Sequence, residues 1–182
     1  MTHLDALLQR NRSFAATDAK DKVPAIPFIP TMQTYVITCV DPRVDPAAIL
    51  GLNLGDGIVA RCVGGRVTPE VLRDLRWISH LHEVKTPDAE WFELAVIHHT
   101  DCGSGLLADE QQRRQFAQRH GYDEETLARL AVVDPAATVR VDVDTLLASA
   151  EVNEQIAISG YTYDLHTGLV TEVVPARRRG RG

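Results

Sequence analysis

At 182 residues and 45% hydrophobic content, the chain can bury one substantial core, and its length favours a single domain. No run approaches the roughly 20 consecutive apolar residues that span a bilayer, and the polar start of the chain carries no signal-like apolar stretch, so a soluble, cytoplasmic protein with no membrane partner is expected. A net charge of -6 argues against a general nucleic-acid binder, and three cysteines are too few for a disulfide framework, which leaves metal binding or chemistry as their use.

Residues 1–16 read as an amphipathic helix through Leu4, Leu7, Leu8 and Phe14, followed over 18–30 by a polar connector containing prolines. This arm, 1–33, cannot bury its apolar face on itself and needs the domain body or a partner subunit. Thr34-Tyr35-Val36-Ile37-Thr38-Cys39 is a β-branched run that predicts a buried strand. Residues 41–46 are loop, and Asp45 caps a short helix from Pro46 to Gly51. A second strand over 57–62 runs into Gly64 and Gly65, whose role is backbone geometry, since the phosphate-binding fingerprints are absent. Thr68 and Pro69 open a helix with an apolar face of Leu72, Leu75, Trp77, Ile78 and Leu81; Trp77 and Trp91 are assigned to the core or an interface.

A third strand spans 93–98 and ends in His99-Thr100-Asp101-Cys102-Gly103. Helical patterns cover 109–120, 124–130 and 142–151. A fourth strand over 155–164 meets 169–174 across a His166-Thr167-Gly168 turn, as an antiparallel hairpin at the sheet edge. This alternation predicts an α/β domain over 34–175, a mostly parallel four-stranded sheet with an antiparallel edge strand and helices on both faces. Residues 176–182, with Arg177, Arg178, Arg179 and Arg181, read as a basic, disordered tail.

His99 and Cys102, three apart, place an imidazole and a thiolate within reach of one ion. Cys39 and His99 both end predicted strands, on the sheet edge where open α/β folds bind ligands. If the first and third strands are neighbours, in the order 2-1-3-4, the three side chains converge. Two thiolates and one imidazole favour one Zn2+ per chain and leave a fourth position for water. Asp41 is near enough to accept a hydrogen bond from that water, and Arg43 can hold Asp41 ionised in a bidentate pair. His98 should point to the face opposite His99, as a packing or supporting residue, while His80 and His82 lie on a helix outside these blocks.

Cys39-Val40-Asp41-Pro42-Arg43, the segment from Gly55-Asp56 to Gly65 and His99-Thr100-Asp101-Cys102-Gly103 resemble the three motif blocks of the β-class carbonic anhydrases. Gly160-Tyr161-Thr162-Tyr163-Asp164 with Thr167-Gly168 resembles that family's last strand and turn, so the likeness covers about 34–175. It implies zinc on Cys39, His99 and Cys102, an Asp41–Arg43 catalytic dyad, a homodimer built with the N-terminal arm, and zinc-hydroxide attack on carbon dioxide to give bicarbonate. The wording from Ile97 to Cys102 also resembles a branch that includes carbonyl sulfide and carbon disulfide hydrolases, an alternative on the same site. One departure is Cys62, where the family usually has asparagine: it either lines the pocket or closes the site as a fourth ligand, which would make a non-catalytic, zinc-stabilised interaction domain.

Overall fold

Five β-branched and aromatic runs become the strands of one sheet in the computed structural model, which describes residues 3–18, 21, 25 and 29–180. They are β1 (Thr34–Cys39), β2 (Gly57–Cys62), β3 (Glu93–His99), β4 (Ala157–Tyr163) and β5 (Val170–Arg177). Their order is β2-β1-β3-β4-β5. The first four pair in parallel, and β5 lies antiparallel on β4. The predicted order 2-1-3-4 with an antiparallel edge is therefore the order found.

The helices are α1 (His3–Ala15), α2 (Pro46–Leu50), α3 (Pro69–Lys85), α4 (Glu110–His120), α5 (Glu124–Arg129) and α6 (Pro135–Ala148). A single local device starts three of them. Asp45, Thr68 and Asp134 each accept a hydrogen bond from a main-chain nitrogen of the first turn, and a proline follows each cap at the first helical position. The proline has no N–H to leave unpaired, so the pairing of cap and proline sets the start sharply.

The third of these devices corrects the expected helix over 142–151. Asp134-Pro135 starts α6 seven residues earlier than its apolar pattern alone indicated, and the helix ends at Ala148. Val139, Val143 and Leu146 of α6 are buried in one core with Val71 and Leu75 of α3 and with Tyr35, Ile37, Leu94, Val96 and Ile158 of the sheet. Gly160 in β4 makes the close approach of α6 feasible: a Cβ there would stand 2.4 Å from Val139 Cγ1.

Two further expectations shift. Trp77, placed on the apolar face of α3 and assigned to the core or an interface, is 59% exposed and lies outside the core, its ring tilted 38° to that of His80, while Val71, Leu75 and Ser79 turn inward. The basic end begins later than expected: β5 runs through Arg177, and Arg178 and Arg179 donate to the main-chain oxygens of Gln155 and Ser149. Residues 181–182, and most of the connector, lie outside the described residues. In α1, Leu4, Leu7, Leu8 and Phe14 are exposed. Among the described residues, no helix is long and apolar enough to cross a membrane.

Candidate metal centre

The parallel pairing of β1 with β3 brings their carboxyl ends side by side, so Cys39 and His99 meet at one edge of the sheet. Cys102 reaches the same point by a tight loop. Asp101 takes the left-handed conformation, with φ 52°. Thr100 ties that loop to the end of β4: its nitrogen donates to Tyr163 O at 3.0 Å, and its hydroxyl oxygen accepts from Leu165 N at 3.0 Å.

One donor atom from each of Cys39, His99 and Cys102 lies within 4.8 Å of the other two. The two sulfurs are 3.8 Å apart. The His99 Nδ1 is 2.9 Å from Thr100 O, and since a carbonyl oxygen only accepts, Nδ1 carries the hydrogen. That leaves the Nε2 lone pair facing the sulfurs, buried and without a hydrogen-bond partner. A buried acceptor with no donor is costly, and a cation between one imidazole and two thiolates relieves it. The residues present therefore fit a metal ion.

The electrostatics agree with that use. The hydrogen bond from Cys39, against the opposing effect of burial, draws the Cys102 thiol well below its ordinary range, and the same contact pushes the Cys39 thiol up. Cys62 pairs in register with Cys39 but does not join the cluster. Its thiol donates to Arg66 O at 3.2 Å, and burial pushes its pKa up to about 11, so it stays a neutral thiol.

Beside the cluster, Asp41 is held by Arg43. The Arg43 Nε and Nη2 donate to Oδ1 and Oδ2 of Asp41 at 3.0 and 2.7 Å, and the Arg43 main-chain nitrogen donates to Oδ1 at 2.9 Å. These bonds hold the Asp41 carboxyl down at about 2. The guanidinium also reaches across to the other ligand loop, with Nη1 on Asp101 Oδ2 at 2.9 Å and Nη2 on Asp101 O at 3.0 Å. Arg43 thereby pins the Cys39 loop to the Cys102 loop.

Arg61, Asp101, Arg66 and Asp142 are supporting residues that the sequence reading did not single out. Arg61 at the end of β2 donates to the main-chain oxygens of Cys39 and Asp41, at 3.0 and 2.6 Å. Behind the ligands, Arg66 forms a buried fork with Asp142 of α6 at 2.8 and 3.0 Å. His98 turns to the face opposite His99, as strand alternation requires, and its Nε2 stands 3.2 Å from Asp142 Oδ2 and from Gly65 O. Burial pushes the Asp142 carboxyl up, but hydrogen bonds from His98 and Arg66 outweigh it and the net shift is downward. A signal for Asp142 existed: it interrupts the apolar stripe of Val139, Val143 and Leu146 on one helix.

A family model described as carbonic anhydrase matches residues 34–170, which contain every residue of this centre. The chain belongs to the β-carbonic anhydrase family. The β-carbonic anhydrase 1 of Mycobacterium tuberculosis is 27% identical over 175 residues, 96% of this chain and 100% of that protein. A crystal structure of the carbonic anhydrase from Streptococcus mutans shares 32% identity with a TM-score of 0.76, covering 95% of this chain and 98% of that one. A carbon disulfide hydrolase of an Acidianus species is 27% identical over 117 residues, 64% of this chain and 51% of its own length. In this β-carbonic anhydrase chain the three donor residues fall at the ends of β1 and β3 and in the loop that follows β3.

Proposed function

We propose that the chain is a zinc enzyme that hydrates carbon dioxide to bicarbonate, with Cys39, His99 and Cys102 holding the metal and Asp41 and Arg43 acting beside it. The observation that carries this reading is the buried, partnerless Nε2 of His99 facing two cysteine sulfurs. When bound, zinc supplies the Lewis acidity that makes a water nucleophilic near neutral pH.

The chain's own groups orient that water. A carboxylate has about four lone-pair sites, and Arg43 occupies three on Asp41, leaving one on Oδ2. Asp41 accepts a hydrogen bond there from the attacking water and turns the oxygen lone pair toward the carbon of the substrate. With its carboxyl held at about 2, Asp41 does not take the proton at neutral pH. It is an orienting acceptor rather than a base. Arg43 keeps the carboxylate charged and fixed in direction.

A second reading, hydrolysis of carbonyl sulfide or carbon disulfide on the same centre, is favoured by the likeness to the Acidianus hydrolase. The test is direct: the zinc-loaded protein is assayed for carbon dioxide hydration by stopped flow and for sulfide release from both sulfur substrates. Hydration with only background sulfide supports the first reading, and the reverse result replaces it with the second.

The chain further works as a homodimer in the cytoplasm on this account. The exposed Leu4, Leu7, Leu8 and Phe14 of α1 support an arm, 1–33, that leans on a partner copy while 34–175 carries the site. Three free cysteines suit a reducing compartment.

A further inference from the structure

Cys102 has a neighbour that the metal reading does not use. The Ser104 Oγ lies 3.2 Å from the Cys102 sulfur, and Ser104 is 8% exposed. Its position is enforced from the other side of the site. Gly64 faces it with φ +69°, and a Cβ on Gly64 would stand 2.9 Å from Ser104 Oγ. The same turn is held by the buried cluster, since His98 Nε2 meets Gly65 O at 3.2 Å and Arg66 is forked onto Asp142. A Cβ on Gly65 would come within 3.0 Å of Cys39 N, so this one turn packs against both ligand loops.

In the metal-free protein either the thiol or the hydroxyl can donate in the Ser104–Cys102 contact. Once a cation takes the sulfur, Cys102 has no hydrogen to give, and only the serine can be the donor. We infer that Ser104 is a positioning residue that donates its O–H to the Cys102 thiolate, fixing the direction of the sulfur lone pair and lowering its charge donation to the metal. The inference rests on the metal reading above. A sulfur that shares a lone pair with a hydroxyl is the weaker electron donor, so the metal keeps more of its positive charge for the water it activates.

Cobalt(II) in place of zinc makes this visible, because the energy of the thiolate-to-cobalt charge-transfer band reports how readily the sulfur gives up an electron. Ser104→Ala, which removes the hydroxyl and leaves a smaller side chain, is expected to move that band to lower energy. It should also weaken zinc retention against a competing chelator on the order of tenfold, because without the O–H the sulfur holds a proton more tightly and is no longer aimed at the metal, and these losses exceed the gain from its stronger donation. Ser104→Thr, which keeps the donor, is expected to restore both. An Ala variant that is folded by circular dichroism and shows the parent's band and retention overturns the role of Ser104 and leaves the metal reading standing. A parent protein that takes up neither cobalt nor zinc overturns the metal reading and this inference together.

Discussion

Arg43 gives Asp41 three hydrogen bonds, two from its guanidinium and one from its own main-chain nitrogen, all between 2.7 and 3.0 Å. Two residues apart in a proline-bearing loop, they form one rigid unit whose only remaining acceptor position is on Oδ2.

Asp41→Asn is therefore expected to keep fold and zinc but lose turnover by on the order of a hundredfold or more, since an amide offers one acceptor oxygen and adds donors that compete for the attacking water's lone pair. Arg43→Ala removes the two guanidinium bonds and leaves only the main-chain one, so the carboxylate stays charged but is loosely held, and the tie to Asp101 is cut as well. Steady-state kinetics of the double variant should show a loss well below the product of the two single losses. Full additivity would mean that the pair does not act as a unit.

Removing one sulfur donor should empty the centre. Cys102→Ser is expected to purify with less than about a tenth of the parent's zinc, because a hydroxyl is a poor ligand beside a thiolate. Metal analysis of the dialysed protein reads this, and full zinc in that variant would place the metal elsewhere.

The buried Asp142 gives a stability prediction with a definite pH dependence. Asp142→Asn leaves the Arg66 charge inside the protein without its counter-charge and is expected to cost about 3 kcal/mol or more at pH 7, read by urea unfolding. The folded carboxyl lies below its ordinary value of about 3.9, so its contribution is full above that pH and declines as the pH falls through the folded pKa. The gap between parent and variant should hold from pH 7 to about 5 and narrow below about 4. A gap that widened on acidification would contradict the sign of the shift.

The arm makes a prediction about assembly. Four large apolar side chains on α1 stand exposed, and each contributes on the order of 1.5 kcal/mol when buried. Deleting residues 1–16 should shift the protein from dimer to monomer in sedimentation velocity and lower its unfolding midpoint by several degrees. A truncated chain that remained a fully stable dimer would remove the arm from the interface.

The strands were legible because β-branched runs such as Thr34 to Cys39 have few other homes, and the order of the sheet followed from requiring Cys39 and His99 to meet. The start of α6 was missed although Asp134-Pro135 repeats the cap and proline already read at Asp45-Pro46 and Thr68-Pro69; the apolar spacing downstream outweighed a local signal two residues long. Within the candidate cluster, His99 with Cys102, and Cys39 with Asp41 and Arg43, are joined by short spacings that local chain geometry converts into distances, while the pairing of β1 with β3 brings the two groups together. The supports are not so joined. Arg61 acts on main-chain oxygens 22 and 20 residues away, and Arg66 meets Asp142 across 76 residues, so no local pattern joins them. Asp101 was hidden differently: its side chain was read as part of a ligand loop, and only the fold shows it facing Arg43.

X-ray absorption at the zinc edge of the purified protein tests the central claim most directly, by counting the donors around the metal. An open centre on Cys39, His99 and Cys102 gives two sulfur donors and one imidazole nitrogen, at about 2.3 and 2.0–2.1 Å, with one further light ligand exchangeable with solvent. Three sulfurs and one nitrogen would bring Cys62 onto the metal, close the site to water and contradict the account.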